Sequence, residues 1–185
     1  MALLNSRPRR TGLLVLMGLA HLTAADAQNA DEYQVKAAFL YNFAKFVEWP
    51  AGAFKSAADP IVICVLGRSP IGGSLEQAVK GKQINGRNLA IRQTQEPQEA
   101  ATCHLLFVAA SEKKRPPAIF DLLKSASILT VGETANFAAA GGVIGFRMDD
   151  GKVGLEINVC AEQRARLRIS SKLLSLAKII KDDKP

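Results

Sequence analysis

Between Glu32 and Pro50 the apolar residues Tyr33, Ala37, Leu40, Ala44 and Val47 recur at steps of three and four, and Phe39, Phe43 and Phe46 widen the stripe. Gln34, Lys36, Asn42, Lys45 and Glu48 fall elsewhere, so the pattern predicts an amphipathic helix that buries one side. Asn29 with Glu32 three residues on has capping-box spacing, and Asp31 and Glu32 place negative charge where the helix dipole favours it. Pro50 forces Trp49 out of the α region and marks the expected end. Six of the eleven aromatic residues of the chain lie between Tyr33 and Trp49, so the remainder of the chain must supply surfaces for them to pack on.

Downstream the period changes. Ile61 to Leu66 is a continuous apolar run bounded by Pro60 and Gly67, the signature of a strand buried on both faces of a parallel sheet. A glycine turn and a short helix through Leu75, Ala78 and Val79 complete a βα unit, with Lys80-Gly81 suited to a left-handed cap. Asn85-Gly86 leads into Leu89 to Arg92, whose alternation predicts a half-exposed or edge strand. Cys103 to Ala109 is a second buried strand, followed by a basic proline turn and a helix over 118–124 with Ile119, Leu122 and Leu123 inward.

Ile128 to Val131 predicts a further buried strand, and Gly132 to Ala140 a turn and small helix. Val143 to Met148 and Val153 to Ile157 predict a hairpin across Asp149-Asp150-Gly151. The run Leu173, Leu174, Leu176, Ala177, Ile179, Ile180 predicts a closing helix capped by Ser170 or Ser171. The sum is a single compact α/β domain, with a mostly parallel sheet flanked by helices and an antiparallel edge hairpin.

Residues 1–27 have the three parts of a cleaved secretory signal: Arg7, Arg9 and Arg10, an apolar core from Leu13 to Leu22, and Ala25-Asp26-Ala27 as the cleavage site. The apolar core is too short to span a bilayer, and no cysteine follows the site to carry a lipid. A soluble exported domain of residues 28–185 is expected, with no direct membrane insertion. Loss of three arginines and one aspartate lowers the net charge from +7 to +5. The positive residues are scattered, and Lys113-Lys114-Arg115 and the Arg164, Arg166, Arg168 triplet read as solvated, so no nucleic-acid partner is implied.

Candidate chemistry is sparse. Beyond the leader there is one histidine, His104, beside a cysteine in an apolar strand, which reads as a core or edge residue. No multi-histidine zinc site can be built from it, no cofactor motif is complete, and no catalytic residue is assigned. Gly67 and Gly72 have the spacing of the first two glycines of a phosphate loop, but Gly73 stands where the lysine would be needed. Glu156 and Asn158 lie on one side of the last predicted strand, where polar pairing at a sheet edge is their expected role. Cys64, Cys103 and Cys160 should yield one disulfide and one free thiol in an oxidising compartment, and spacing alone leaves the pair open.

The helix E-Y-Q-V-K-A-A-F-L-Y-N-F-A-K-F-V-E-W-P, the glycine turn after a cysteine-bearing strand, the Cys103 strand, and the close G-L-E-I-N-V-C with S-S-K-L-L-S-L-A together resemble the YfiR family of periplasmic proteins. The resemblance implies a compact α/β fold, a possible homodimer, and a structural disulfide between Cys64 and Cys103, with Cys160 lacking the partner it has in the namesake. It also implies a non-catalytic regulator that represses a membrane-bound diguanylate cyclase through the cyclase's periplasmic domain. Tyr33, Tyr41 and Trp49 are the candidate partner-binding residues, and Glu156, Asn158, Ser170 and Ser171 the polar positions of the family motif. The alternative is a periplasmic small-ligand binding protein, with its cleft at the carboxyl ends of the strands near the Gly67 turn.

Overall fold

The computed structural model describes residues 23–149 and 151–181. Residues 1–22, most of the leader expected at 1–27, lie outside them, as do Asp150 of the hairpin turn and residues 182–185. Helix α1 runs Thr23–Phe46 and strand β1 is Val47–Glu48. Strand β2 is Ile61–Leu66, helix α2 Ile71–Val79, β3 Gln83–Ile84 and β4 Arg87–Thr94. Then come β5 Leu105–Val108, α3 Pro116–Leu123, β6 Leu129–Gly132, β7 Ile144–Asp149 and β8 Lys152–Asn158. The chain continues through α4 Val159–Arg164, β9 Arg168–Ile169, α5 Ser171–Leu174 and β10 Lys178–Ile180.

Eight strands form one sheet in the order β10-β8-β7-β6-β5-β2-β4-β3. Five of its pairings are parallel, while β7 with β8 and β3 with β4 are antiparallel. The period of two in β2 and β5 divides the core between the two faces. Ile61, Ile63, Val65, Leu105 and Phe107 meet α1 and α2, with Leu40, Phe43, Ile71 and Leu75 fully buried against them. Leu66, Leu106 and Val108 point the other way, onto Ile119 and Leu123 of α3 and onto Phe137. Cys64 belongs to this second face and is bonded to Cys103, with Cα atoms 5.9 Å apart.

Six expectations are corrected. Asn29 lies inside α1, which begins at Thr23, and not at its start. The helix also stops short of Trp49, since Val47 and Glu48 pair antiparallel with Ile169 and Arg168. Gly132 to Ala140 forms turns without a helix, with Asn136 at φ 60°. The closing helix is one turn only: Ser170 caps it by accepting from Leu173 N, Ser171 is its first residue, and the chain then becomes β10 alongside β8. The β7–β8 hairpin therefore sits one strand in from the edge. Leu122 is exposed on α3, where Ile119 and Leu123 form the inward pair.

Candidate functional site

Helix α1 lies antiparallel to the sheet strands, so its two ends reach opposite edges of the sheet. At the carboxyl edge, Lys36 is buried and its Nζ lies 2.5 Å from Glu32 Oε1 and 2.6 Å from Glu133 Oε2. Glu133 follows β6, and its other oxygen accepts from Ala110 N at 3.0 Å, in the turn after β5. Nζ also stands 4.8 Å from the centre of the Tyr33 ring. Burial alone would lower the Lys36 pKa, but the hydrogen bonds from Glu133 and Glu32 outweigh it and hold the ammonium above its ordinary value. The Tyr33 hydroxyl is also raised, first by burial and then by the charge of Glu133. One buried lysine thus ties α1 to the turns that follow two parallel strands, β6 directly and β5 through Glu133.

The crevice expected at this edge is filled by the protein's own side chains. Gly67 has φ 88°, and a Cβ there would stand 2.5 Å from Ser111 Oγ and 2.8 Å from Glu112. Ser111 Oγ accepts from Arg68 N at 2.9 Å, which closes the first βα turn onto the third. Glu112 is buried, and its Oε2 makes an ion pair with Arg115 at 3.0 Å without hydrogen-bond alignment. A cavity of about 460 Å³ opens elsewhere, between α3 and α4, with Phe120, Lys124, Thr130, Val143 and Arg164 among its walls.

At the amino edge stands His104, immediately before β5. Val62 N donates to its Nδ1 at 3.0 Å, so Nε2 carries the proton and donates to the Ala53 carbonyl at 3.1 Å. Trp49 Nε1 donates to the His104 carbonyl at 3.1 Å, and Phe54 stacks on the imidazole at 4.3 Å. Both ring nitrogens of His104 are engaged by backbone groups, which fix the ring in one tautomer and position it. Among the described residues, no group of three or more His, Cys, Asp or Glu is placed to hold a metal ion.

The candidate partner-binding residues are spread along α1 and past its end. Tyr33 and Trp49 are half-buried, the first against Lys36 Nζ and the second bonded to the His104 carbonyl, and half-buried Tyr41 carries Lys82 Nζ 4.4 Å from its ring centre. Between them α1 presents Gln34, Val35, Ala38 and Asn42 outward. The motif residues have architectural positions. Glu156 pairs with Lys178 across to β10 at 3.3 Å. Asn158 is fully buried, caps α4 by accepting from Ala161 N at 2.9 Å, and donates to the Ala138 carbonyl at 2.8 Å. Cys160 is a free, half-buried thiol in the first turn of α4. Sequence reasoning passed over Lys36 and Glu133: a lysine on the flank of an amphipathic stripe carries no signal that a partner 97 residues away will bury it.

A family model described as YfiR/HmsC-like matches residues 33–178, from the ring that stacks beside Lys36 to the first residue of β10. The chain belongs to the YfiR/HmsC-like family. This is a family of periplasmic regulators and not of enzymes. No curated protein matches the chain significantly. Among solved structures it is similar to a conserved domain protein from Vibrio cholerae O1 biovar El Tor, at 12% identity and a TM-score of 0.55 over 81% of this chain. It is also similar to an ABC domain in complex with L-Trp from Streptococcus pneumoniae, at 12% identity and a TM-score of 0.54 over 80% of this chain. The match covers 60% of each of those two chains, and at such identity the likeness is one of fold. In this YfiR/HmsC-like chain, side chains fill the crevice at Gly67 and backbone groups hold both nitrogens of His104.

Proposed function

We propose that this protein is a non-catalytic periplasmic regulator that binds the periplasmic sensor part of an inner-membrane diguanylate cyclase and restrains it, lowering cyclic di-GMP. The observation that carries the reading is the match to a family of periplasmic regulators along nearly all of the folded domain. The supporting physical argument is rigidity: a domain closed by a disulfide between strands and by a buried lysine clamp presents its surface with little ordering cost on binding. To repress, it must favour the inactive arrangement of the cyclase over the active one, since equal affinity for both shifts nothing.

We place the partner contact on α1, with Tyr33, Tyr41 and Trp49 supporting it from below and Val35, 44% exposed, as its outward apolar position. Capture of the cyclase's isolated periplasmic domain by the purified protein tests the reading. Complex formation with the intact protein is expected, and no detectable complex at micromolar concentrations would overturn it. The small-ligand alternative is favoured by one observation, the cavity between α3 and α4, and its site moves there from the Gly67 turn.

A further inference from the structure

We propose that His104 and the groups stacked around it form an acid-released clasp, which holds the segment from Trp49 to Pro60 against the amino edge of the sheet while the imidazole is neutral and lets it open when the ring gains a second proton. The proposal stands on the fold and does not rest on the regulator reading.

The segment has few holds of its own. It contains one short helical turn and no strand of the main sheet. Its attachment runs through the imidazole: the Ala53 carbonyl accepts from Nε2, and Phe54 is sandwiched between the imidazole at 4.3 Å and the Arg87 guanidinium at 3.9 Å. Arg87 Nη1 reaches past Phe54 to the carbonyls of Ser56 and Asp59, 2.8 Å each. Trp49 packs edge-on to both Phe54 and His104.

The neutral ring is required on one side only. Nδ1 must accept from Val62 N, and a proton there would set one N–H against another, losing the bond and leaving a buried donor unmatched. Burial lowers the imidazole pKa, against the Ala53 hydrogen bond, which raises it. Two charged groups face the ring, Arg87 from β4 and Asp59 from the segment itself, and they act in opposite senses. The α1 end, β2 and β6 contribute Trp49, Val62 and Leu129 at this point, none of which titrates.

Opening stays local because β2 and β5 remain joined beyond the clasp. Their pairing runs from Ile63 with Leu105 to Leu66 with Val108, and the Cys64–Cys103 disulfide spans the same two segments. Acid therefore loosens Phe54 and changes the packing around Trp49, whose bond to the His104 carbonyl does not depend on the ring proton, without parting the sheet.

Hydrogen exchange on the purified, oxidised protein at pH 7.5 and pH 5.0, corrected for intrinsic exchange, tests this. With an open-state pKa near the ordinary His value of about 6.5, protection at Val62 and across 53–59 should fall by up to about 30-fold, while Phe107 and Val131 keep theirs. Fluorescence of the single tryptophan, Trp49, should shift to the red over the same range. In His104→Gln, which cannot titrate, the pH dependence should vanish. Should that variant fail to fold, the imidazole nitrogen resonances of the natural protein serve instead, and their titration should coincide with the opening. Protection within twofold at the two pH values, an equal loss in the Gln variant or at Phe107, or a ring titration displaced from the opening would each overturn the clasp.

Discussion

Lys36 Nζ and Glu133 Oε2 lie 2.6 Å apart with about 5% and 4% of their side chains exposed, joining the first helix to the turn after β6. Removing Lys36 leaves the Glu133 charge buried and uncompensated, at a cost of about 3–5 kcal/mol, whereas removing Glu133 leaves Lys36 paired with Glu32 and should cost less. Glu133→Ala also strips the acceptor from Ala110 N, and it should lower the chemical-denaturation midpoint more than Glu32→Ala, whose carboxylate is the more exposed one. The double variant Lys36→Met with Glu133→Gln should lose less than the sum of its single changes. Additivity in that cycle would show that the pair is not coupled.

The Cys64–Cys103 bond closes a separation of 39 residues. In the chain-entropy account such a loop restricts the unfolded state by about 4 kcal/mol, a large part of a usual domain stability of about 5–15 kcal/mol. Cys64→Ser should melt well below the natural protein under oxidising conditions and close to it under reductant. Peptide mapping without reductant should find Cys160 unbridged. A Cys160 linkage would contradict the pairing.

Asn158 uses its side chain twice, as the cap of α4 and as a donor to Ala138. Asn158→Ala loses the cap, worth about 1 kcal/mol, and takes one of two donors from the Ala138 carbonyl, which keeps Gly141 N at 3.1 Å. Asn158→Asp keeps the cap acceptor but not the donor, and it should fall between the two in thermal unfolding. Equal melting of the Ala and Asp variants would mean the cap contributes nothing, and an Asp variant that melts with the natural protein would mean the Ala138 bond contributes nothing.

Much of this architecture was legible in the chain because the apolar runs at Ile61 to Leu66 and Leu105 to Val108 admit no arrangement other than burial on both faces. The first helix was equally plain, although its boundaries shifted. The close of the chain was not legible: Leu173, Leu174, Leu176, Ala177, Ile179 and Ile180 suit a helix by spacing, yet Lys178 to Ile180 completes the sheet beside β8. An unpaired backbone edge outweighed local propensity there. Of the candidate site, Asn158 and Ser170 were found as polar positions, but their roles as caps depend on where α4 and α5 begin. The Lys36–Glu133 clamp and the stacking of Phe54 on His104 are long-range contacts without a local signature.

The outward face of α1 allows binding to be separated from folding. Val35 is exposed, so Val35→Glu should shift stability by no more than about 0.5 kcal/mol. If the partner docks on that face, the variant should lose capture of the cyclase domain while its melting curve is unchanged. Capture retained at natural affinity would move the contact off α1.

Intracellular cyclic di-GMP in a strain lacking this protein is the most direct test of the central claim. The level should rise on deletion, return with the natural chain, and stay high with Val35→Glu expressed at equal abundance. An unchanged level on deletion, together with no cyclase captured by the natural protein, would contradict the claim that it restrains a diguanylate cyclase.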